Sequence, residues 1–161
     1  MARKVSDVMR TKVLTISPEK LLPDLERKLL SSRVGALPVV EPDGRLVGIV
    51  SRSDVVRQLC LERSLGEAMA DAYRSQTDDQ FAEKAQRDVG GVIGERMEQL
   101  AVREVMIRDV LTVEPGLALA KAAQLMVERH VHRLPVVEDG RLVGIMSSLD
   151  LARVVADTPD R

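Results

Sequence analysis

Two short patterns in this chain are equipped for chemistry. They are Ser51-Arg-Ser-Asp54 and Ser147-Ser-Leu-Asp150, each directly after a Gly-Ile run (Gly48-Ile49 and Gly144-Ile145). A Ser followed three residues later by an acid is a helix-capping pattern. A second use competes with that one. A helix N-terminus entered from a buried strand also presents free N–H groups and positive potential, suited to a phosphate. A carboxylate placed there can accept both hydroxyls of a ribose. One copy alone reads as a cap. Two copies at the same place weigh towards a ligand site.

Other chemistry is poorly supplied. The chain has no Ser/His/Asp spacing, no glycine-rich phosphate loop after a strand and no His-Glu-x-x-His, so no enzyme is expected. His130 and His132 are two apart and on a strand would share a face, but nothing offers further ligands at matching spacing; no metal site is expected. Cys60 is alone, which excludes an internal disulfide and a thiolate cage. The 24 basic and 25 acidic residues nearly cancel and leave no footprint for nucleic acid or an anionic membrane. Apolar runs fall far short of a membrane span, and the pattern starts too near the N-terminus for a signal peptide. A soluble, cytoplasmic protein is expected.

The elements that carry the two Ser/Asp patterns are themselves repeated. Val5-Ser-Asp-Val-Met9 returns as Val102-Arg-Glu-Val-Met106, and Val13-Leu-Thr-Ile-Ser-Pro18 as Val110-Leu-Thr-Val-Glu-Pro115. Leu37-Pro-Val-Val40 returns as Leu134-Pro-Val-Val137, and Gly44-Arg-Leu-Val-Gly-Ile-Val-Ser51 as Gly140-Arg-Leu-Val-Gly-Ile-Met-Ser147. A long repeat present twice suggests one supersecondary unit paired with its copy about a pseudo-twofold axis, with clefts between them. Behind a short helical lead-in, each repeat reads β-α-β-β-α. The opening strands are expected around Val13–Ile16 and Val110–Val113. The next helix places Leu22, Leu25, Leu29 and Leu30 on one stripe, with Pro23 in its first turn, and its copy uses Leu119, Ala122, Ala123 and Met126. Hairpins follow around Glu-Pro-Asp-Gly and Glu-Asp-Gly. The expected class is α/β (α+β), with domains at 1–58 and 101–161 and a helical insert at 59–100.

The insert belongs to neither copy. It carries five basic and nine acidic residues, which argues against a DNA-reading segment. Leu61, Leu65, Ala68, Met69, Ala72 and Tyr73 fall on one helical face, and Val89, Val92, Ile93, Met97 and Leu100 on another. Two helices are expected, with Tyr73, Phe81 and Met69 near a contact with a second copy of the chain.

The repeated run of h-x-T-h-x-P, L-P-V-V and G-x-L-V-G-I-h-S-x-x-D (h, apolar) resembles the CBS domain, and two such domains in tandem resemble a CBS pair, or Bateman module. The resemblance covers residues 1–58 and 101–156. It implies a non-enzymatic regulatory module that needs no cofactor and binds an adenosyl ligand (AMP, ADP, ATP or S-adenosylmethionine) between the repeats. It would signal through an effector protein or through a homodimer. Carried over by motif, Asp54 and Asp150 match the ribose-binding carboxylate, and Ser51 and Ser147 the phosphate-contacting hydroxyl. Thr15 and Thr112 match the threonine of the opening strand. Gly35, Ala36 and Leu37, and Val131, His132 and Arg133, match the segments around adenine and phosphates. The resemblance sets Asp54 towards the segment of repeat two and Asp150 towards that of repeat one. Because Arg suits phosphate, the site of Asp54, His132 and Arg133 is expected to be the tighter. The alternative is a dimerisation scaffold with empty clefts.

Overall fold

In a computed structural model, residues 3–74 and 79–157 are described, with side chains except at 70, 73, 74 and 79–88. The side chains of Tyr73 and Phe81, invoked above for a contact between copies, lie outside the described residues. The chain forms two compact units that do not follow the order of the repeats. One contains Met1–Thr15, Val40–Gly48 and Arg108–Arg161, the other Ile16–Val39 and Ile49–Ile107. Each repeat's lead-in has therefore joined the other repeat.

The first unit is built on α5 (Leu119–Glu128), β3 (Arg133–Glu138), β4 (Arg141–Ser147) and α6 (Ser148–Ala156). The strands form an antiparallel hairpin with an irregularity between Val136 and Val137. Asp139 and Gly140 take left-handed backbone at its turn, as the Asp-Gly pair predicts. The N-terminal 3-10 turn, Val5–Asp7, docks here. The Val5 N–H donates to the Leu117 carbonyl (2.9 Å) and the Ser6 N–H to that of Pro115 (2.9 Å). Val5 is fully buried in one core with Leu134, Val136, Ala122 and Met146. Arg10 then pairs with Ile145 of β4 in a two-way backbone bridge, with N···O distances of 2.9 and 3.0 Å. Gly144 permits that approach, because a Cβ there would lie 2.6 Å from the Met9 sulfur and 3.1 Å from the Arg10 carbonyl oxygen.

The second unit carries α1 (Leu22–Ser32), α2 (Arg52–Arg74), α3 (Asp79–Gln99) and α4 (Val102–Val105). Its hairpin partners are β1 (Ala36–Val40) and β2 (Leu46–Ser51), whose tip belongs to the first unit. α1 has the bounds its pattern implies, with Pro23 in the first turn and Leu22, Leu25 and Leu29 buried. The second lead-in docks on this unit. The Val102 N–H donates to Lys20 (2.8 Å), that of Leu22 to Leu100 (3.0 Å), and Ile107 and Ile49 bridge in both directions at 2.9 Å.

Two expectations change. The opening strands reduce to single parallel bridges, Ile16 to Val39 and Val113 to Val136. Their amides reach the carbonyls of Pro38 and Pro135, which have no N–H with which to extend a ladder. In the insert both helices form, but α2 turns Gly66 towards α3. A Cβ on Gly66 would lie 2.6 Å from Val89 and 3.2 Å from Ile93. Leu61, Leu65 and Met69 are left outward at 54%, 61% and 64% exposure.

Candidate functional site

Both Ser/Asp patterns close as complete capping boxes with the same geometry. At α2, Asp54 Oδ2 accepts from the Ser51 N–H (2.7 Å) and hydroxyl (2.6 Å), while the Asp54 N–H donates to Ser51 Oγ (3.3 Å). At α6, Asp150 Oδ2 accepts from the Ser147 N–H (2.9 Å) and hydroxyl (2.5 Å), and the Asp150 N–H donates to Ser147 Oγ (3.3 Å). The first N–H of each helix is also taken. That of Arg52 donates to the Gly35 carbonyl (3.1 Å) and that of Ser148 to the His132 carbonyl (3.0 Å). Each box is thereby tied to the segment of its own repeat. These bonds satisfy three of the four orphan donors at each helix start, those of the N-cap, first and third positions. The cap is real in both copies, and what is left for a ligand is mainly the other carboxylate oxygen.

That oxygen is already held by arginine. Asp54 Oδ1 accepts from Arg57, and Asp150 Oδ1 from its counterpart Arg153 (3.3 Å). The pattern is thus Ser-x-x-Asp-x-x-Arg in both copies, and the repeated arginine was visible at the same offset as the acid. Asp150 has one partner more. Arg10 places both Nε and Nη2 at 3.0 Å from Oδ1. The corresponding residue of the second lead-in is Ile107, so Asp54 has no such clamp from that position. Both acids are almost fully buried, Asp54 at 2% and Asp150 at 4% exposure. Asp150 lines a cavity of about 460 Å³, with Arg3, Asp7, Arg10, Arg153 and Asp157 as its other charged residues.

The remaining residues singled out in the sequence are placed as follows. Thr15 is half-buried and Thr112 exposed, each one residue before a parallel bridge. Gly35 is exposed, Ala36 half-buried, and Leu37 is packed into the core. Val131 is half-buried, and His132 and Arg133 are exposed. Strand register sets Arg133 opposite Ser147. His130 lies in a left-handed turn and His132 in a bend before β3, so the two do not share a strand face. Arg33, the counterpart of His130, is left-handed as well, where it ends α1; the aligned pair shares a backbone role. Among the described residues no group of three or more His, Cys, Asp or Glu could hold a metal. Among the same residues no helix is long and apolar enough to cross a membrane.

The pairing of Asp150 has a consequence for acid stability. Burial raises its pKa, but the Ser147 hydroxyl and N–H and the Arg10 guanidinium outweigh it, and the group lies below the ordinary carboxylate value. A carboxylate with a lowered folded pKa stabilises the fold above its unfolded pKa of about 3.9. That contribution is lost as pH falls through the lower folded value. Thermal melts of wild type and Asp150→Asn are therefore expected to differ fully near about pH 6 and to converge below about pH 4. A gap that persists at the acid end would assign the effect of the substitution to packing.

A family model for the CBS domain matches residues 5–60 and 102–157. The chain belongs to the CBS-domain family. In sequence it is similar to the protein MJ1426 of Methanocaldococcus jannaschii, with 29% identity over 157 residues spanning 91% of this chain and 88% of that protein. In structure it is similar to CBSX2 in complex with AMP, with a TM-score of 0.68, 23% identity and coverage of 95% and 96% of the two chains. It is also similar to the CBS domain pair of MJ0100 in complex with 5′-methylthioadenosine and S-adenosyl-L-methionine (TM-score 0.64, 20% identity, coverage 97% and 98%). At these identities the two structures establish the fold.

Proposed function

We propose that this protein is a non-enzymatic regulatory module that binds an adenosyl ligand at its Ser-x-x-Asp-x-x-Arg boxes. The observation that carries the reading is the buried acid with one oxygen fixed by the cap and the other turned to an exchangeable arginine. Arg57 and Arg153 are 55% and 60% exposed, so their hold on the acid is the part of the box that solvent and ligand can contest. A ribose diol can take over Oδ1, and the freed guanidinium can take a phosphate. The ligands named for the two similar structures, AMP, 5′-methylthioadenosine and S-adenosyl-L-methionine, share the adenosyl group, which supports that class.

Output would pass to an effector protein or through a homodimer in the cytoplasm. The outward stripe of Leu61, Leu65 and Met69 on α2 favours a partner surface. It is also the observation behind a second reading, a scaffold that dimerises and binds no nucleotide. A melting titration separates the two. A ligand that binds only the folded protein at ~100 times its dissociation constant adds roughly 2.7 kcal/mol. AMP, ADP, ATP or S-adenosylmethionine at millimolar level is expected to raise the melting temperature by several degrees. A sedimenting dimer unmoved by all four would support the scaffold.

A further inference from the structure

The two boxes differ at one residue that the repeat itself exposes. Arg10 clamps Asp150 with two donors, whereas Ile107 stands at the matching position for Asp54. With Arg153 added, Asp150 Oδ1 accepts hydrogen bonds from Arg10 Nε and Arg153 Nη1 and has Arg10 Nη2 in ion-pair contact at 3.0 Å, and Oδ2 is closed by Ser147. No acceptor site of this carboxylate is left for a hydroxyl while Arg10 is in place. The clamp is seated, because the Arg10 backbone is bonded both ways to Ile145, while its side chain is 51% exposed and can swing out.

The cavity beside it holds Arg3, Arg10 and Arg153 against Asp7, Asp150 and Asp157. With its charges balanced, neither a free anion nor a free cation is drawn in by net charge. Opening the clamp with a neutral nucleoside gives Asp150 new donors but strips Arg10 of its acceptor. Inorganic phosphate does the reverse and leaves a buried carboxylate short of partners. Phosphate alone leaves the buried acid unmatched, which is the expensive outcome. A nucleoside alone only exchanges the Arg10 ion pair for hydroxyls at the acid and water at the half-exposed guanidinium, with little net gain. A ligand with both a ribose diol and a 5′-phosphate satisfies both members at once.

We infer that Arg10 makes the Asp150 site selective for phosphorylated adenosyl ligands, excluding unphosphorylated ones such as adenosine. The inference rests on the nucleotide-binding reading above and adds a ligand class to one of its two sites. Arg10 is a specificity-determining residue on this account, and the Asp54 site, without a counterpart, discriminates less.

The test is calorimetry with AMP and adenosine in the Asp54→Asn background, which weakens the other site. With Arg10 present, AMP should bind at least roughly tenfold more tightly than adenosine, the scale of one lost charge-assisted hydrogen bond. In Arg10→Ile the ratio should fall to about threefold or less, chiefly through tighter adenosine binding. Ile is the residue the second lead-in carries at this place, and it makes the same two-way bridge with Ile49 that Arg10 makes with Ile145, so the variant is expected to fold. Arg10→Lys, which keeps the charge but not the fork, should restore part of the preference. Equal binding of AMP and adenosine with Arg10 present, or a ratio unmoved by Arg10→Ile, overturns the inference alone. Absence of binding by either ligand to any variant and to wild type overturns the nucleotide reading and the inference with it.

Discussion

Asp54→Asn is expected to weaken adenosyl binding at its site by roughly ten- to a hundredfold, while the protein remains folded. The size follows from the loss of one charge-assisted hydrogen bond, about 1.5–3 kcal/mol. The choice of Asn follows from the cap. Asp54 Oδ2 accepts both the Ser51 N–H and hydroxyl, and an amide oxygen in that position still accepts them. Ala would remove cap and ligand contact together and blur the result. Arg57, which loses its acid, is more than half exposed and can be rehydrated. Asp150→Asn should cost less for adenosine than Asp54→Asn does, since Arg10 already occupies the acid. Calorimetric titration of both variants checks this. If Asp150→Asn alone removes the tighter event, the ranking of the sites is inverted.

Leu134→Ala is expected to produce the largest loss of stability, about 2–5 kcal/mol. Leu134 is fully buried and shares its core with Val5, Val113, Val136 and Met146, contributed by four separate stretches of chain. A fall of the order of 10 °C in melting temperature corresponds to this. The cavity should also loosen the docked lead-in. Amide exchange of Val5 and Arg10, whose N–H groups bond to Leu117 and Ile145, should rise more than the global change requires. A fall below about 1 kcal/mol would mean that the site collapses on the deleted atoms.

Local order was largely legible in the sequence. The stripe of Leu22, Leu25 and Leu29 with Pro23 fixed α1 to its ends, and the Asp-Gly turns fixed the hairpins, because each signal acts over a few residues. The Ser-x-x-Asp boxes were legible for the same reason. The arginines at their second oxygen divide. Arg57 and Arg153 follow the acids by three residues and repeat with them, so they could have been read. Arg10 could not, since it lies 140 residues from Asp150 and has no counterpart to draw attention to it. The expected opening strands failed where Pro38 and Pro135 interrupt the ladder, a limit the sequence did carry. The apolar stripe of the insert was found, but helical periodicity cannot say which face a glycine such as Gly66 brings into contact.

The exchange of lead-ins has a consequence for how the chain is made. The unit of residues 16–39 and 49–107 has all its segments once residue 107 has left the ribosome. The other must wait for residues 108–157, although Val5, at its centre, is made before any segment of the unit that completes first. An apolar lead-in is thus made well before the rest of its unit and buried only when that unit closes. Its closure joins segments far apart in sequence, the kind of long-range contact that slows folding. A cut between the repeats would leave each half holding the lead-in that the other half needs.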